Sequence, residues 1–305
     1  MQLVLYLNMN IKLLSKIICI IIICIFNSNH SLAQNPSSPK QISILSWNMY
    51  LLPAIAPVKG RITRASLIAN ELNNSGYDIL CLQEAFHHKA VAILQKELKT
   101  IYPYQYGPIY DSKNKFETNS GLLICSKTPF LIIDSILYRD ANGIDAKAKK
   151  AAVLFQATIN GKNFQVILSH MQSGKFSATR RKQFDQIKTE LIDKYTKNDM
   201  PLFICGDLNT DRDTVVEYEY MLHSLDAKNH ILSGEKQYSY DGKTNTIARH
   251  LWKEASTNLD YILLKNNNAP IKIISQKIVA YKKQWCKKYT DLSDHYGVEC
   301  IFELY

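Results

Sequence analysis

The sequence predicts an α/β domain in which two packed, partly antiparallel β-sheets are flanked by helices. Three observations predict it. Apolar, strand-like runs alternate with helix-period stripes from residue 41 to the end of the chain. The dipeptide Asn160-Gly161 joins two of those runs as a hairpin, because both residues tolerate positive φ, and a hairpin rules out a purely parallel, doubly wound sheet. The 305 residues are 46% hydrophobic and 21% charged with nine prolines, which is ample material for one large core and unlike a disordered chain.

The first segment differs in kind. Lys12 and Lys16 precede the apolar run Ile17 to Phe26, and the small-residue pattern Ser31-Leu32-Ala33 follows a polar stretch. This is the grammar of a signal peptide cleaved after Ala33, since ten apolar residues fall well short of the roughly 20 that a spanning helix needs. The expected mature protein is therefore secreted, periplasmic or extracellular. Met9 begins a more conventional signal and is an alternative start. Losing the two lysines takes the net charge from +10 to +8, still basic enough to favour an anionic membrane face or nucleic acid.

Beyond a short polar leader, 34–40, one catalytic domain over 41–305 is expected. Its strands are read at Ile42 to Trp47, Ile79 to Leu82, Gly121 to Ser126, Ala151 to Ile159, Phe164 to His170, Leu202 to Cys205, Leu259 to Leu264, Ile271 to Val279 and Gly297 to Phe302. Helical stripes are Ile62, Ala65, Ile68 and Leu72; Val91, Leu94 and Leu98; and Phe184, Ile187, Leu191 and Tyr195. A fourth helix starts at Thr214, where Thr214 and Glu217 spell a capping box. Cys81, Cys125 and Cys205 lie inside apolar runs as small hydrophobes, Cys286 and Cys300 complete the mature set, and at most one or two disulfides are expected.

Chemistry-bearing residues occur where strands end. Asn48 follows one strand, Gln83-Glu84 the next, His170 and Gln172 a third, Asp207 and Asn209 a fourth, and Asp294-His295 precede the last. A cleft assembled from several strand ends is what catalysis requires. No cysteine-nucleophile motif, phosphate-cradling glycine loop or Gly-x-Ser-x-Gly elbow competes with them. Carboxylate and amide oxygens select a hard cation such as Mg²⁺, with Mn²⁺ or Co²⁺ as substitutes, suited to neutralising a phosphate. His295 is placed to take a proton from water, and His170 to hold or protonate the phosphate. Blander readings stand beside these: Glu84 as a helix N-terminal acid, Asp207 and Asn209 as an Asx turn. His87, His88, His223, His230 and His250 lack a strand-end setting and receive no catalytic role.

The motifs Ser46-Trp47-Asn48, Leu82-Gln83-Glu84, Ser169-His170-Met171-Gln172, Gly206-Asp207-Leu208-Asn209, Leu259-Asp260-Tyr261-Ile262 and Ser293-Asp294-His295 occur in the order of the endonuclease/exonuclease/phosphatase superfamily, which the chain resembles over about 41–305. Asn48-Met49-Tyr50-Leu51-Leu52-Pro53, Arg64-Ala65-Ser66-Leu67-Ile68 and the run Trp285 to Thr290 make it similar to the bacterial neutral sphingomyelinases. The resemblance implies a DNase-I-like four-layer sandwich that splits sphingomyelin into ceramide and phosphocholine. It implies Glu84 as principal Mg²⁺ ligand with Asn48 beside it and Asp294 supporting metal or base. His295 is then the general base oriented by Asp260, Asp207 and Asn209 position water and phosphate, and His170 contacts the phosphate. The chain differs from that pattern at Lys149-Lys150-Ala151 and at Trp285-Cys286, where only one member of the expected aromatic pair at a hairpin tip is present.

Tyr281, Trp285, Lys287 and Lys288 form a basic, aromatic segment fit to touch a phospholipid surface, with the ring at the headgroup boundary and the ammonium groups wet. Trp285 as a core residue is the bland alternative. The predicted partner is thus a sphingomyelin-bearing membrane met by a monomer. A secreted nuclease on the same fold, acting on nucleic acid, is the nearest rival, and a non-catalytic lipid-binding or toxin-like module is a third.

Overall fold

The structure, a computed structural model, describes residues 41–57, 59–110 and 118–305. The expected signal peptide and leader lie outside the described residues. Gln41–Tyr305 form one compact unit. In chain order its strands are β1 Ile42–Leu51, β2 Ile79–Ala85, β3 Tyr104–Tyr106, β4 Leu123–Ser126, β5 Phe130–Leu137, β6 Ala151–Ile159, β7 Lys162–His170, β8 Leu202–Asp207, β9 Ala227–Lys228, β10 Tyr240–Asp241, β11 Ser256–Thr257, β12 Asp260–Lys265, β13 Ile271–Val279, β14 Lys282–Cys286, β15 Tyr289–Asp291 and β16 Gly297–Leu304. The helices are α1 Arg61–Asn73, α2 His88–Leu98, α3 Ser177–Ile187, α4 Val215–Ser224 and the single turn α5 Ala248–Leu251.

Two six-stranded mixed sheets form, ordered β13-β16-β1-β2-β4-β3 and β5-β6-β7-β8-β12-β9. Each has one parallel pair at its centre, β1 with β2 and β7 with β8, and antiparallel neighbours outside. The Asn160-Gly161 turn closes the β6–β7 hairpin with Ile159 opposite Lys162, as its sequence requires. Between the sheets lies a core of alternate strand residues, including Phe164, Phe203 and Phe302, whose rings meet at 4.6–6.3 Å. The outer face of the first sheet is covered by α1 and α2, and that of the second by α3 and α4. This is the expected four-layer, DNase-I-like sandwich.

Three local expectations change. In α1, Ile62 is 43% exposed, and Arg64 instead shares the buried face with Ala65, Ile68 and Leu72, for a reason that appears at the site. The Thr214 side chain does not cap α4, and Glu217, the other half of the expected capping box, makes a two-pronged bond with Arg181 instead, at 3.0 and 2.8 Å. Beyond α3 a π-helical segment, Lys188–Ile192, carries the stripe to Leu191, but Tyr195 ends up on the surface. Cys81, Cys125, Cys205 and Cys300 are buried, and all five described cysteines are free thiols.

Candidate active site

The topology brings the strand ends together. Parallel strands β1, β2, β7 and β8 deliver Asn48, Glu84, His170 and Asp207 from their C-terminal ends, while β12 and β16, running antiparallel to their neighbours, deliver Asp260 and Asp294-His295 at their beginnings. Asp260 lies directly opposite Asp207 in the β8–β12 register. Gly206 permits the close approach of β7 and β8: with φ at 142°, a Cβ there would sit 1.8 Å from the Ser169 carbonyl oxygen.

His295 is held on every side. Its Nδ1 lies 2.8 Å from Asp260 Oδ2, and its Nε2 lies 3.9 Å from Asp207 Oδ2. Its backbone N–H donates to Ser293 Oγ at 3.2 Å, its carbonyl accepts the Trp47 indole N–H at 3.0 Å, and the Tyr240 ring stands edge-on at 5.1 Å. Burial pulls the imidazole toward neutrality, but Asp260 and Asp207 outweigh it and raise its pKa well above the ordinary value. With Nδ1–H fixed by the Asp260 carboxylate, Nε2 is the ring nitrogen left to exchange a proton, and it is directed toward Asp207.

Asp207 is the hub. Its Oδ2 accepts from Asn48 Nδ2 at 3.0 Å and its Oδ1 from the Asn209 backbone N–H at 3.1 Å. The Asx turn read as the bland alternative is therefore real and serves the site, since it aims the carboxylate and sets Asn209 at φ 51° with its amide on the Met171 carbonyl, 3.0 Å away. Asn48 also accepts the Tyr50 N–H at 3.0 Å, so it ties β1 to β8.

Glu84 closes β2 with φ at 55°, so it is a strand-end residue and not a helix N-terminal acid. Its Oε2 is buried without a partner. Burial first and then the negative charge of Asp294 push its pKa up to about 8, and burial raises that of Asp294 as well. Two anionic groups held against their electrostatic preference, one with an orphaned oxygen, fit a hard divalent cation, which would relieve both terms at once. Asp207, Asp260 and His295 also bring one donor atom each within 4.8 Å of one another. The Asp260–His295 hydrogen bond ties two members of this trio to each other, whereas the unpartnered Glu84 oxygen and the neighbouring Asp294 carboxylate could hold a cation.

Two roles expected from sequence change. His170 lies 3.5 Å from Asp207, but burial first and then the Lys150 ammonium, 3.1 Å from Nε2, push its pKa down to about 3. That shift favours a neutral hydrogen-bonding ring, which suits His170 to holding the phosphate rather than to protonating it. Trp285 and Tyr281 do not face outward. Trp285 is half-buried: it stacks on Tyr289 at 5.0 Å, donates to the Asp291 carbonyl at 2.9 Å and fills the space beside Gly60, where a Cβ would lie 2.3 Å from its ring. Tyr281 is half-buried against Trp47, at 4.7 Å. The tip of the β14–β15 hairpin is Lys287-Lys288, both exposed.

Sequence reasoning missed two buried cations. Lys150 bonds Asp145 at 2.9 Å, the Met171 carbonyl at 2.6 Å and His170. Extending the β6–β7 register from Asn160-Gly161 places residue 150 beside Met171, so the signal was present in the hairpin. Arg64 donates to the carbonyls of Met49 (2.9 Å), Leu292 (2.8 Å) and Tyr50, clamping the segments that follow Asn48 and precede Asp294.

Two mixed sheets ending on a shared carboxylate cleft with an Asp-oriented histidine define a hydrolase of the DNase-I-like class. A family model described as the endonuclease/exonuclease/phosphatase family matches residues 45–295, and the chain belongs to that family. It is 29% identical to sphingomyelinase C of Listeria ivanovii over 288 residues (85% of this chain, 86% of the relative) and 26% identical to phospholipase C of Staphylococcus aureus over 299 residues (89% and 90%). A crystal structure of a beta toxin mutant from S. aureus with bound magnesium ions superposes with a TM-score of 0.76 at 27% identity, covering 86% of this chain and 99% of that one.

Proposed function

We propose that this protein is a secreted, Mg²⁺-dependent phosphodiesterase that hydrolyses sphingomyelin to ceramide and phosphocholine. The observation that carries the reading is the His295–Asp260 pair facing Asp207 beside the unpartnered Glu84 oxygen, in a chain aligned along most of its length with relatives named sphingomyelinase C. Glu84 and Asp294, with Asn48 next to them, would hold the cation. Bound there, Mg²⁺ supplies charge neutralisation for the phosphate and for the departing oxygen.

The remaining work belongs to the protein's own side chains. His295 Nε2 takes a proton from the attacking water while Asp260 fixes the ring and stabilises the imidazolium that forms. Water oxygen bonds to phosphorus, the bond from phosphorus to the ceramide oxygen breaks, and that oxygen takes a proton from solvent water while the His295 imidazolium returns its proton to solvent. Asp207 and Asn209 position the water and phosphate, and His170 offers a neutral hydrogen-bonding face. Secretion rests on residues 1–33 and is checked by N-terminal sequencing of exported protein.

The test is turnover of sphingomyelin, phosphatidylcholine and plasmid DNA with Mg²⁺ or EDTA, by wild type and by His295→Ala. Sphingomyelin cleavage that EDTA abolishes and His295→Ala lowers by roughly 10²–10⁴-fold is expected, with the fold unchanged by circular dichroism. Cut DNA beside untouched lipids would establish the nuclease instead.

A further inference from the structure

With Trp285 packed inward, other apolar residues are left facing out beside the cleft. A cavity of about 460 Å³ opens between Pro57, Lys59, α5 and the β14–β15 hairpin, lined also by Tyr50, Leu251, Trp285 and Tyr289. Arg64, which clamps the backbone next to Asn48 and Asp294, also lines it. The charged groups on its wall are Lys59, Arg64 and Lys288, with no carboxylate among them. On the segments around it Ile55 is 86% exposed, Trp252 70% and Leu251 47%. Lys59, Lys253, Lys287 and Lys288 on the same segments are exposed too, as is Glu254, so the lysines outnumber the carboxylate.

A wet indole and two aliphatic side chains on neighbouring loops are costly in water, and the loops that carry them are fastened: Arg61 donates to the carbonyls of Pro53 (3.0 Å) and Ala56, and the Trp252 N–H donates to the Ala248 carbonyl at 2.8 Å. Fastened apolar tips on segments that also carry exposed lysines match the headgroup boundary of a bilayer, where apolar side chains bury a few ångströms deep while the ammonium groups stay wet near anionic lipid. Nucleic acid fits less well, because Ile55 and Leu251 offer no ring on which a base could stack.

We propose that Ile55, Leu251 and Trp252 are the lipid-inserting tips of this protein, with Lys59, Lys287 and Lys288 set against the headgroups of an anionic phospholipid surface. The inference rests on the phospholipid reading of the cleft and identifies the face that meets the bilayer. It moves the anchor from the hairpin tryptophan to the loop after α5, and it puts the cavity beside the carboxylate cleft at the lipid boundary.

The experiment measures co-sedimentation of the purified, Mg²⁺-supplied chain with sphingomyelin/phosphatidylcholine vesicles, with and without phosphatidylserine, alongside turnover of a water-soluble phosphorylcholine diester. Trp252→Ala and the Ile55→Ser/Leu251→Ser pair lie on the surface and keep the fold. Each should weaken vesicle partitioning about tenfold or more, the loss of one large buried apolar side chain, and leave soluble-diester turnover unchanged. Phosphatidylserine should strengthen binding of the wild type, and added salt should remove that gain. Partitioning by Trp252→Ala equal to wild type overturns the proposal, as does a loss confined to single-stranded DNA affinity. If neither the diester nor any lipid is hydrolysed while partitioning still depends on Trp252, the docking face stands and the sphingomyelinase reading falls. Hydrolysis of lipid with partitioning indifferent to Trp252 gives the reverse result.

Discussion

Glu84 and His170 show how single residues acquire roles from their surroundings. Glu84 is half-buried beside Asp294 with its Oε2 enclosed and unpartnered, a destabilising arrangement in the metal-free protein. Mg²⁺ should therefore raise the melting temperature of the wild type and have no such effect on Glu84→Gln, while metal-free Glu84→Gln melts no lower than wild type; differential scanning calorimetry with and without the ion reads both. His170 behaves oppositely to a catalytic acid. Its folded pKa of about 3 lies below the ordinary 6.5, so between those values the unfolded chain binds a proton that the native protein refuses. The stabilising contribution is complete above pH 6.5 and declines as pH falls toward 3, with an upper slope of about 1.4 kcal/mol per pH unit. His170→Asn should flatten that part of the stability–pH curve in urea titrations. Both histidines were visible in the sequence as strand-end residues, but their protonation was not, because it depends on Lys150 and Asp260, which lie 20 and 35 residues away along the chain.

At the level of elements, α1 does more than cover a sheet. Its Arg64 reaches to the ends of interior strands of the first sheet, holding the end of β1 and the turn before β16, and burial lowers the guanidinium pKa only to about 10, so it stays charged. The apolar stripe in this helix was legible from spacing, whereas an arginine in the buried face looked like an ordinary solvent residue. Arg64→Met should lower the unfolding free energy by about 2–3 kcal/mol, because several buried carbonyls lose their donor together. Arg64→Lys keeps the charge but cannot span three carbonyls; it should fold and lose kcat by roughly tenfold with KM nearly unchanged, the pattern of a displaced catalytic strand end. A parallel fall in both parameters with no change in melting would dismiss the clamp. The β14–β15 hairpin seats Trp285 over Arg64 at 5.8 Å, so its ring packs against the protein despite its lysine-rich neighbours.

For the molecule as a whole, cohesion comes from the two sheets meeting face to face. Phe302 on β16 touches Phe164 on β7 and Phe203 on β8, so it joins the sheets that carry the two halves of the cleft. Phe302→Ala should cost about 3–5 kcal/mol of stability in urea unfolding and, where the protein still folds, loosen the Asn48–Asp207 contact that crosses between sheets. Local sequence was sufficient to determine the alternation of strands and helices, the Asn160-Gly161 hairpin, the strand-end positions of Asn48, Glu84, Asp207, Asp260, Asp294 and His295, and hence the family, because each follows from short-range periodicity, turn chemistry or motif order. Only the tertiary structure decided that burial, with Lys150 beside it, favours a neutral His170, that Arg64 is a buried clamp, and that Trp252 stands more exposed than Trp285. Those outcomes are set by desolvation and by contacts between residues far apart in the chain, quantities that no local pattern of residues encodes.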